Sequence, residues 1–243
     1  MKLLLTILIL FISIPLFSFE SIKTHHPTYI IGGDKDNQVK YQISFKYPLI
    51  YPFDSGICVA YTQLAHWNLY DKSSPFKELN HNPEIFIERN NPNKYIDFFR
   101  IAPYSHKSNG LDGPESRSID ACYAELQLSH TVGFLNFGIR EKIIGYLNIA
   151  KQNYNYRNYR GNFETEFFCQ IPSKITYFNH TRLYFKGEFT KHFYWYETGL
   201  SFKIITNKFR PHIYIQYFRG YTEFLIDYNQ KKNALRAGFI FDV

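Results

Sequence analysis

Between Tyr104 and Tyr123 the chain concentrates side chains suited to nucleophilic catalysis. His106 and Ser108 are two residues apart, and on an extended strand such residues point to the same face, side by side. A hydroxyl nucleophile and its general base need that relation. Asn109, Gly110, Asp112, Gly113 and Pro114 then break the strand and form a turn. On the returning strand Asp120 shares a face with Ser118, Cys122, Ala124, Leu126 and Leu128, whereas Glu125, Gln127 and Ser129 occupy the other face. A carboxylate at the rim of an apolar stripe is costly unless it is paired. Paired with His106, Asp120 would hold one ring nitrogen while the other takes the Ser108 proton, which is the arrangement of a serine hydrolase triad. Two features leave this reading open: His-x-Ser arises often by chance in a polar loop with a solvated Asp, and strand parity places Arg100 on the same face as His106.

The elements that would position these residues read as strands. Tyr41, Ile43, Phe45 and Tyr47 alternate with Gln42, Ser44 and Lys46, and Phe163 and Phe167 alternate with Asn162, Glu164 and Glu166. Near the end, Leu235, Ala237, Phe239 and Phe241 fall on one side. Apolar residues alternating with polar ones over segments of about ten residues are the pattern of a transmembrane β-barrel. Pooling weaker segments places strands near 40–49, 56–67, 83–90, 94–106, 119–129, 132–141, 157–171, 174–186, 191–205, 209–222 and 233–242. Bacterial single-chain barrels have an even number of strands, so a further strand is expected, either in 27–32 or through a merger of two, for a total of twelve. The links at 130–131 and 206–208 are expected to be short turns, and 68–82, 107–118 and 142–156 longer outer loops.

Composition supports an exported, all-β chain. Residues 1–19 have Lys2, an apolar run from Leu3 to Phe17 and small or polar residues near Ser18, the layout of a signal peptide. That gives a signal peptide at 1–19, an N-terminal periplasmic segment at 20–38 and a barrel at 39–243. No later stretch has the length of a membrane helix, and a closed barrel is the other way to satisfy every backbone group in lipid. The chain has 21 Tyr and 24 Phe, and aromatic residues form the girdles of such barrels. The net charge of +7 is scattered rather than gathered into a stripe, which argues against a nucleic-acid partner and suits loops facing anionic headgroups. Cys58, Cys122 and Cys169 are odd in number and widely spaced, so they define neither a disulfide framework nor a metal site.

The central segment resembles the active-site region of the outer membrane phospholipase A family, whose motif is Asn-His-Asp-Ser-Asn-Gly, then Ser-Arg-Ser and the third triad member. This chain has Ser105-His106-Lys107-Ser108-Asn109-Gly110 and Ser116-Arg117-Ser118-Ile119-Asp120 at ungapped spacing. Further matches are Tyr61-Thr62-Gln63 with Trp67, Ser73-Ser74-Pro75-Phe76 with Asn80 and Pro83, and Gly220-Tyr221, Glu223 and Leu225-Ile226-Asp227-Tyr228-Asn229.

The resemblance implies a twelve-stranded antiparallel barrel in the bacterial outer membrane, with phospholipase A1 and A2 activity on phospholipid acyl esters and a calcium-dependent homodimer. It implies Ser108 as nucleophile, His106 as general base and the Gly110 N–H as an oxyanion donor. Asp120 stands where the best-known members have Asn, which restores the usual carboxylate. Calcium would be held by the Ser116 hydroxyl, the Leu111 carbonyl and, across the dimer, the Ser73 carbonyl. The Ser73 match is the weaker one, because the loop after Trp67 is about two residues shorter here. A second calcium site of some members uses an Asp where this chain has Gly113, so it is not expected. Gln63 matches a glutamine that bonds across the dimer interface, with lumen-facing filler as its alternative, and Trp67 could anchor the aromatic girdle. The rival function is a porin-like or structural barrel without catalysis. A soluble lipase would need a Gly-x-Ser-x-Gly elbow, and the sequence has none.

Overall fold

The computed structural model describes residues 22–34, 36, 38–50, 55–171, 178–189, 193–204 and 211–241. The expected signal peptide and the link at 206–208 lie outside the described residues. The strands are β1 (Lys23–Thr24), β2 (Thr28–Gly32), β3 (Val39–Ile50), β4 (Ser55–Trp67), β5 (Phe76–Asn93), β6 (Ile96–Ser108), β7 (Ser118–Val132), β8 (Leu135–Ile149), β9 (Phe163–Ile171), β10 (Phe178–Phe189), β11 (Tyr194–Ile204), β12 (His212–Gly220) and β13 (Lys232–Phe241). Each strand from β2 to β13 pairs antiparallel with its neighbour in sequence, and β13 pairs with β2. The result is a closed barrel of twelve strands. The short β1 lies ahead of β2 on the same partner, β3.

The twelfth strand is thus Thr28–Gly32, so the barrel begins within the stretch that the sequence reading placed ahead of it. The other strands match those expected, with shifted ends. All three supposed outer loops shorten: β5 starts at Phe76, β6 runs to Ser108 and β8 runs to Ile149. The segment read as strand from 157 begins instead with a short helix, α1 (Tyr156–Arg160). The turn expected at 130–131 lies at 133–134, where Val132 pairs with Leu135. Gly133, at φ +61°, supplies the left-handed residue that such a two-residue hairpin requires.

The wall has the expected two faces. Ile43, Ile57, Ile87, Ile101, Phe137, Ile143, Phe163, Phe167, Leu183, Leu235 and Phe239 are exposed on its outside. The inside is polar and cross-linked. Arg100 bridges Glu88 and Glu125, each at 2.5 Å. Arg140 pairs with Glu166, and Lys40 reaches Glu197 and Glu223, each at 3.3 Å. Burying a charge is tolerable only with such partners, so these pairs make a polar interior compatible with a narrow barrel.

The long connections 68–75, 109–117, 150–162 and 221–231 share one rim. There Ile119, Tyr156, Leu225 and Tyr228 form an apolar cluster inside the wall, packed by Tyr146, Ile149 and Tyr159. This cluster backs the strand ends that carry the candidate catalytic residues.

Candidate active site

Antiparallel pairing of β6 with β7 sets His106 directly opposite Asp120, and Ser108 opposite Ser118. His106 Nδ1 lies 2.7 Å from Asp120 Oδ1. An ionised carboxylate only accepts, so Nδ1 carries the hydrogen, and the Nε2 lone pair is left to act as base. Ser108 stands two residues further along the strand, at its last position.

The face on which the pair sits is decided by a bulge. Pro103 and Tyr104 together oppose Cys122, because Ala102 pairs with Tyr123 and Ser105 with Ala121. The same slip is seen against β5. An extra residue reverses the parity of a strand. Arg100 therefore points into the lumen, whereas His106 lies on the outside of the wall with Asp120, above exposed Phe99 and Ile101. The outward position inferred for Asp120 from its own strand thus agrees with the burial pattern of β7, where Ile119, Ala121, Tyr123 and Glu125 are buried.

Asp120 has two further partners. The Tyr104 hydroxyl donates to Oδ1 at 2.8 Å, and Asn148 Nδ2 donates to Oδ2 at 3.2 Å. These bonds fix the carboxylate that fixes His106. Neither residue stood out in the sequence: Asn148 fell in a supposed loop but belongs to β8, opposite Asp120. His81 was missed for the same reason. It pairs across β5 and β6 with Ser108, its Nδ1 lies 2.6 Å from the Tyr61 hydroxyl, and its ring approaches to 3.4 Å of where a Cβ on Gly110 would sit. Gly110 has φ +66°, a conformation that a residue without a side chain adopts at little cost.

The loop from Asn109 to Arg117 is organised by one buried amide. Asn109 Oδ1 accepts from Arg117 N at 2.9 Å and from Leu111 N at 3.4 Å, and Nδ2 donates to Glu115 O at 2.8 Å. The peptide units around Leu111 and Ser116 are thereby held relative to each other, next to Ser108. Both offer only oxygen, a hydroxyl and a carbonyl, which suits a hard cation such as calcium. Gly113 follows the side-chain cap of Asp112 and adds no carboxylate. Ser73 lies in a different loop, 68–75, with φ +69°.

Gln63 is on the outer face of β4: Thr62, beside it in sequence, is buried and bonds Ser44 inside. It does not fill the lumen. Trp67 donates Nε1–H to Ser74 O at 2.8 Å and stacks on Phe76, which shapes the start of loop 68–75. The three cysteines are free, without a disulfide among the described residues.

Comparison with known proteins agrees with this fold. The family model described as phospholipase A1 matches residues 17–241. Phospholipase A1 of Salmonella typhimurium is 27% identical over 235 residues, which is 90% of this chain and 73% of that protein. Phospholipase A1 of Escherichia coli K12 is 27% identical over 220 residues, 84% of this chain and 69% of that protein. Among solved structures, the barrel is similar to outer membrane phospholipase A from Escherichia coli, with a TM-score of 0.77, 23% identity and 92% of this chain and 93% of that one covered. It is also similar to Salmonella typhi outer membrane phospholipase, solved as a dimer with bound calcium, with a TM-score of 0.75, 23% identity and coverage of 94% and 93%. A match across nearly the whole barrel, including both strands of the His106–Asp120 pair, means that this chain belongs to the phospholipase A1 family.

Proposed function

We propose that this chain is a calcium-dependent phospholipase of the bacterial outer membrane that hydrolyses phospholipid acyl esters with a Ser108–His106–Asp120 triad. The observation that carries the reading is the His106–Asp120 bond at 2.7 Å on the outside of the wall, two residues from Ser108, where acyl chains of a bilayer would lie. Membership of the phospholipase A1 family supports the substrate class.

In the first step His106 Nε2 takes the Ser108 proton while Oγ bonds to the ester carbonyl carbon. The imidazolium is stabilised by Asp120, itself held by Tyr104 and Asn148. The Gly110 N–H donates to the developing oxyanion; donors aimed there commonly supply the largest share of rate enhancement. Collapse breaks the C–O bond, and the leaving lysophospholipid oxygen receives the proton from His106. Water then adds to the acyl-serine with His106 again as base, releasing the fatty acid and restoring Ser108.

Ser116 and Leu111 of one subunit and Ser73 of another would hold calcium. When bound, calcium supplies positive charge beside the oxyanion. Its requirement for Ser73 of a second chain makes the dimer the active form, and the outward-facing Gln63 amide would hydrogen-bond across that interface. The name of the Salmonella typhi structure, a calcium-bound dimer, is consistent with both proposals. A porin or structural barrel would keep a water-filled or inert interior but has no use for a His–Asp bond on its lipid face. The direct test of the nucleophile is labelling with a sulfonyl fluoride followed by peptide mapping. Modification at Ser108 that is lost in His106→Ala supports the triad, and labelling elsewhere or none contradicts it.

A further inference from the structure

A second cluster of chemically capable residues lies inside the barrel, on the opposite face of the wall from the triad. His25, His26 and Glu84 bring one ligand atom each within 4.8 Å of one another. His25 Nε2 is 3.2 Å and His26 Nε2 3.9 Å from the same Glu84 oxygen, Oε1.

Consecutive residues of a regular strand point to opposite faces, so two adjacent histidines cannot normally both reach one inward carboxylate. Here they do because the strand is broken between them and its continuation. Thr24 pairs with Phe45 and Tyr29 with Gln42, so the N-terminal chain carries two residues more than β3 between these pairs. The surplus is looped into the lumen. It is pinned there by His26 N–H to Ser44 Oγ at 3.0 Å and by Gln42 Nε2 to Pro27 O at 2.7 Å. Loss of ladder bonds at two positions needs a compensation, and bulges of this kind usually re-aim side chains.

We propose that His25, His26 and Glu84 form a binding site for a divalent transition cation of the zinc type within the barrel lumen. The donor set is two imidazoles and a carboxylate, which suits zinc and its neighbours rather than calcium. Bonds of about 2.0–2.1 Å in tetrahedral geometry put ligand atoms roughly 3.3 Å apart, so only His26 has to move inward. The cation replaces the proton shared by His25 and Glu84. The side chains of His25 and Glu84 are 0% and 1% exposed, while His26 at 23% opens on the central cavity of about 660 Å³ and leaves room for water as a fourth ligand. The second carboxylate oxygen of Glu84 accepts from Tyr123 OH at 2.6 Å, an outer-shell bond that orients the ligand. The nearby cations are engaged elsewhere. Arg100 is held by Glu88 and Glu125, and Lys142 lies over the Tyr123 ring at 3.7 Å. A bound cation would clasp the N-terminal strand, otherwise tied by few ladder bonds, to the middle of β5.

The test uses the folded, untagged barrel in detergent, stripped with chelator and equilibrated with zinc, with metal per chain measured after gel filtration. The wild-type chain is expected to retain one zinc, with an upward shift of its thermal transition, and to bind cobalt with visible absorption bands of tetrahedral nitrogen and oxygen ligation. His26→Asn and Glu84→Gln should each lower retained zinc at least tenfold, and heat-modifiable migration in electrophoresis shows that each variant is folded. His106→Ala removes the only imidazole of the triad and should retain the zinc. Equal retention by wild type and the folded His26→Asn barrel, or loss in His106→Ala, overturns the proposal. So does a wild-type chain that retains no zinc.

Discussion

Arg100 and His106 stand an even number of residues apart on β6, yet Arg100 is buried among Glu88 and Glu125 in the lumen and His106 meets Asp120 on the outside of the wall. The bulge at Pro103 and Tyr104 separates them. Deleting Pro103 restores regular parity and turns the strand end inward or out of register with β7. Hydrolysis should then fall to the level of a Ser108→Ala variant while the barrel still migrates in heat-modifiable form. Retained activity would mean that the bulge does not set the catalytic face.

The Asp120 carboxylate is expected to be replaceable by an amide but not removable. Asp120→Asn keeps an oxygen that can accept from His106 Nδ1, so kcat should stay within about tenfold of the parent, or roughly 1.4 kcal/mol. Asp120→Ala strips the acceptor and also leaves the Tyr104 hydroxyl and Asn148 amide without it, so its loss should exceed that of Asp120→Asn by at least about tenfold. Steady-state kinetics on micellar substrate distinguish the two, and equal losses would contradict the assigned role.

Ser116 is expected to act through calcium rather than through the chemistry itself. Ser116→Ala should raise the half-saturating calcium concentration by about tenfold or more, each tenfold corresponding to roughly 1.4 kcal/mol. The rate at saturating calcium should change little. A calcium titration that coincides with the parent would remove Ser116 from the ligand set.

How much of this was legible in the residues depended on what each strand faces. β3, β9 and β13 alternate cleanly because one face meets lipid and the other meets buried ions, and their two faces were readable without the structure, though their pairing register was not. The first half of β5 failed because Glu78, Asn80 and Asn82 point inward to a polar lumen, so Phe76–Asn82 looks like a loop, and His81 was hidden with it. The end of β8 failed for the opposite reason: Ile144 and Tyr146 pack inside while Ile143 and Leu147 are exposed outside, leaving apolar residues on both faces and no alternation. Asn148 was lost there. The His106, Ser108 and Asp120 set was readable as a motif, but the face of His106 depended on a bulge that no composition signals.

Acid should loosen the rim loop between β12 and β13 before it unfolds the barrel. Burial pushes the Asp227 carboxyl up, but the hydrogen bonds and charges of Lys232 and Lys77 outweigh this and hold it below the ordinary carboxylate value. Its Oδ2 accepts from Lys77 at 3.0 Å and Lys232 at 2.9 Å. A depressed native pKa contributes stability that is present above the free value of about 3.9 and is lost as pH falls through the native value. Amide protection in 221–231 should therefore hold from neutral pH to about 5 and drop below about 4. Asp227→Asn should show weaker protection and a smaller acid step, the remainder coming from Glu223 of the same loop, whose carboxyl burial raises but Lys40 and Arg236 also hold below the ordinary carboxylate value. An unchanged step in that variant would contradict the assignment.

The most direct test of the whole account is a calcium-titrated phospholipase assay on the purified barrel beside its Ser108→Ala variant. The parent should release fatty acid only when calcium is present, and the variant should be at least about a thousandfold slower at every calcium concentration while remaining folded. Hydrolysis by the parent that persists in chelator, or that survives the loss of the Ser108 hydroxyl, would contradict it.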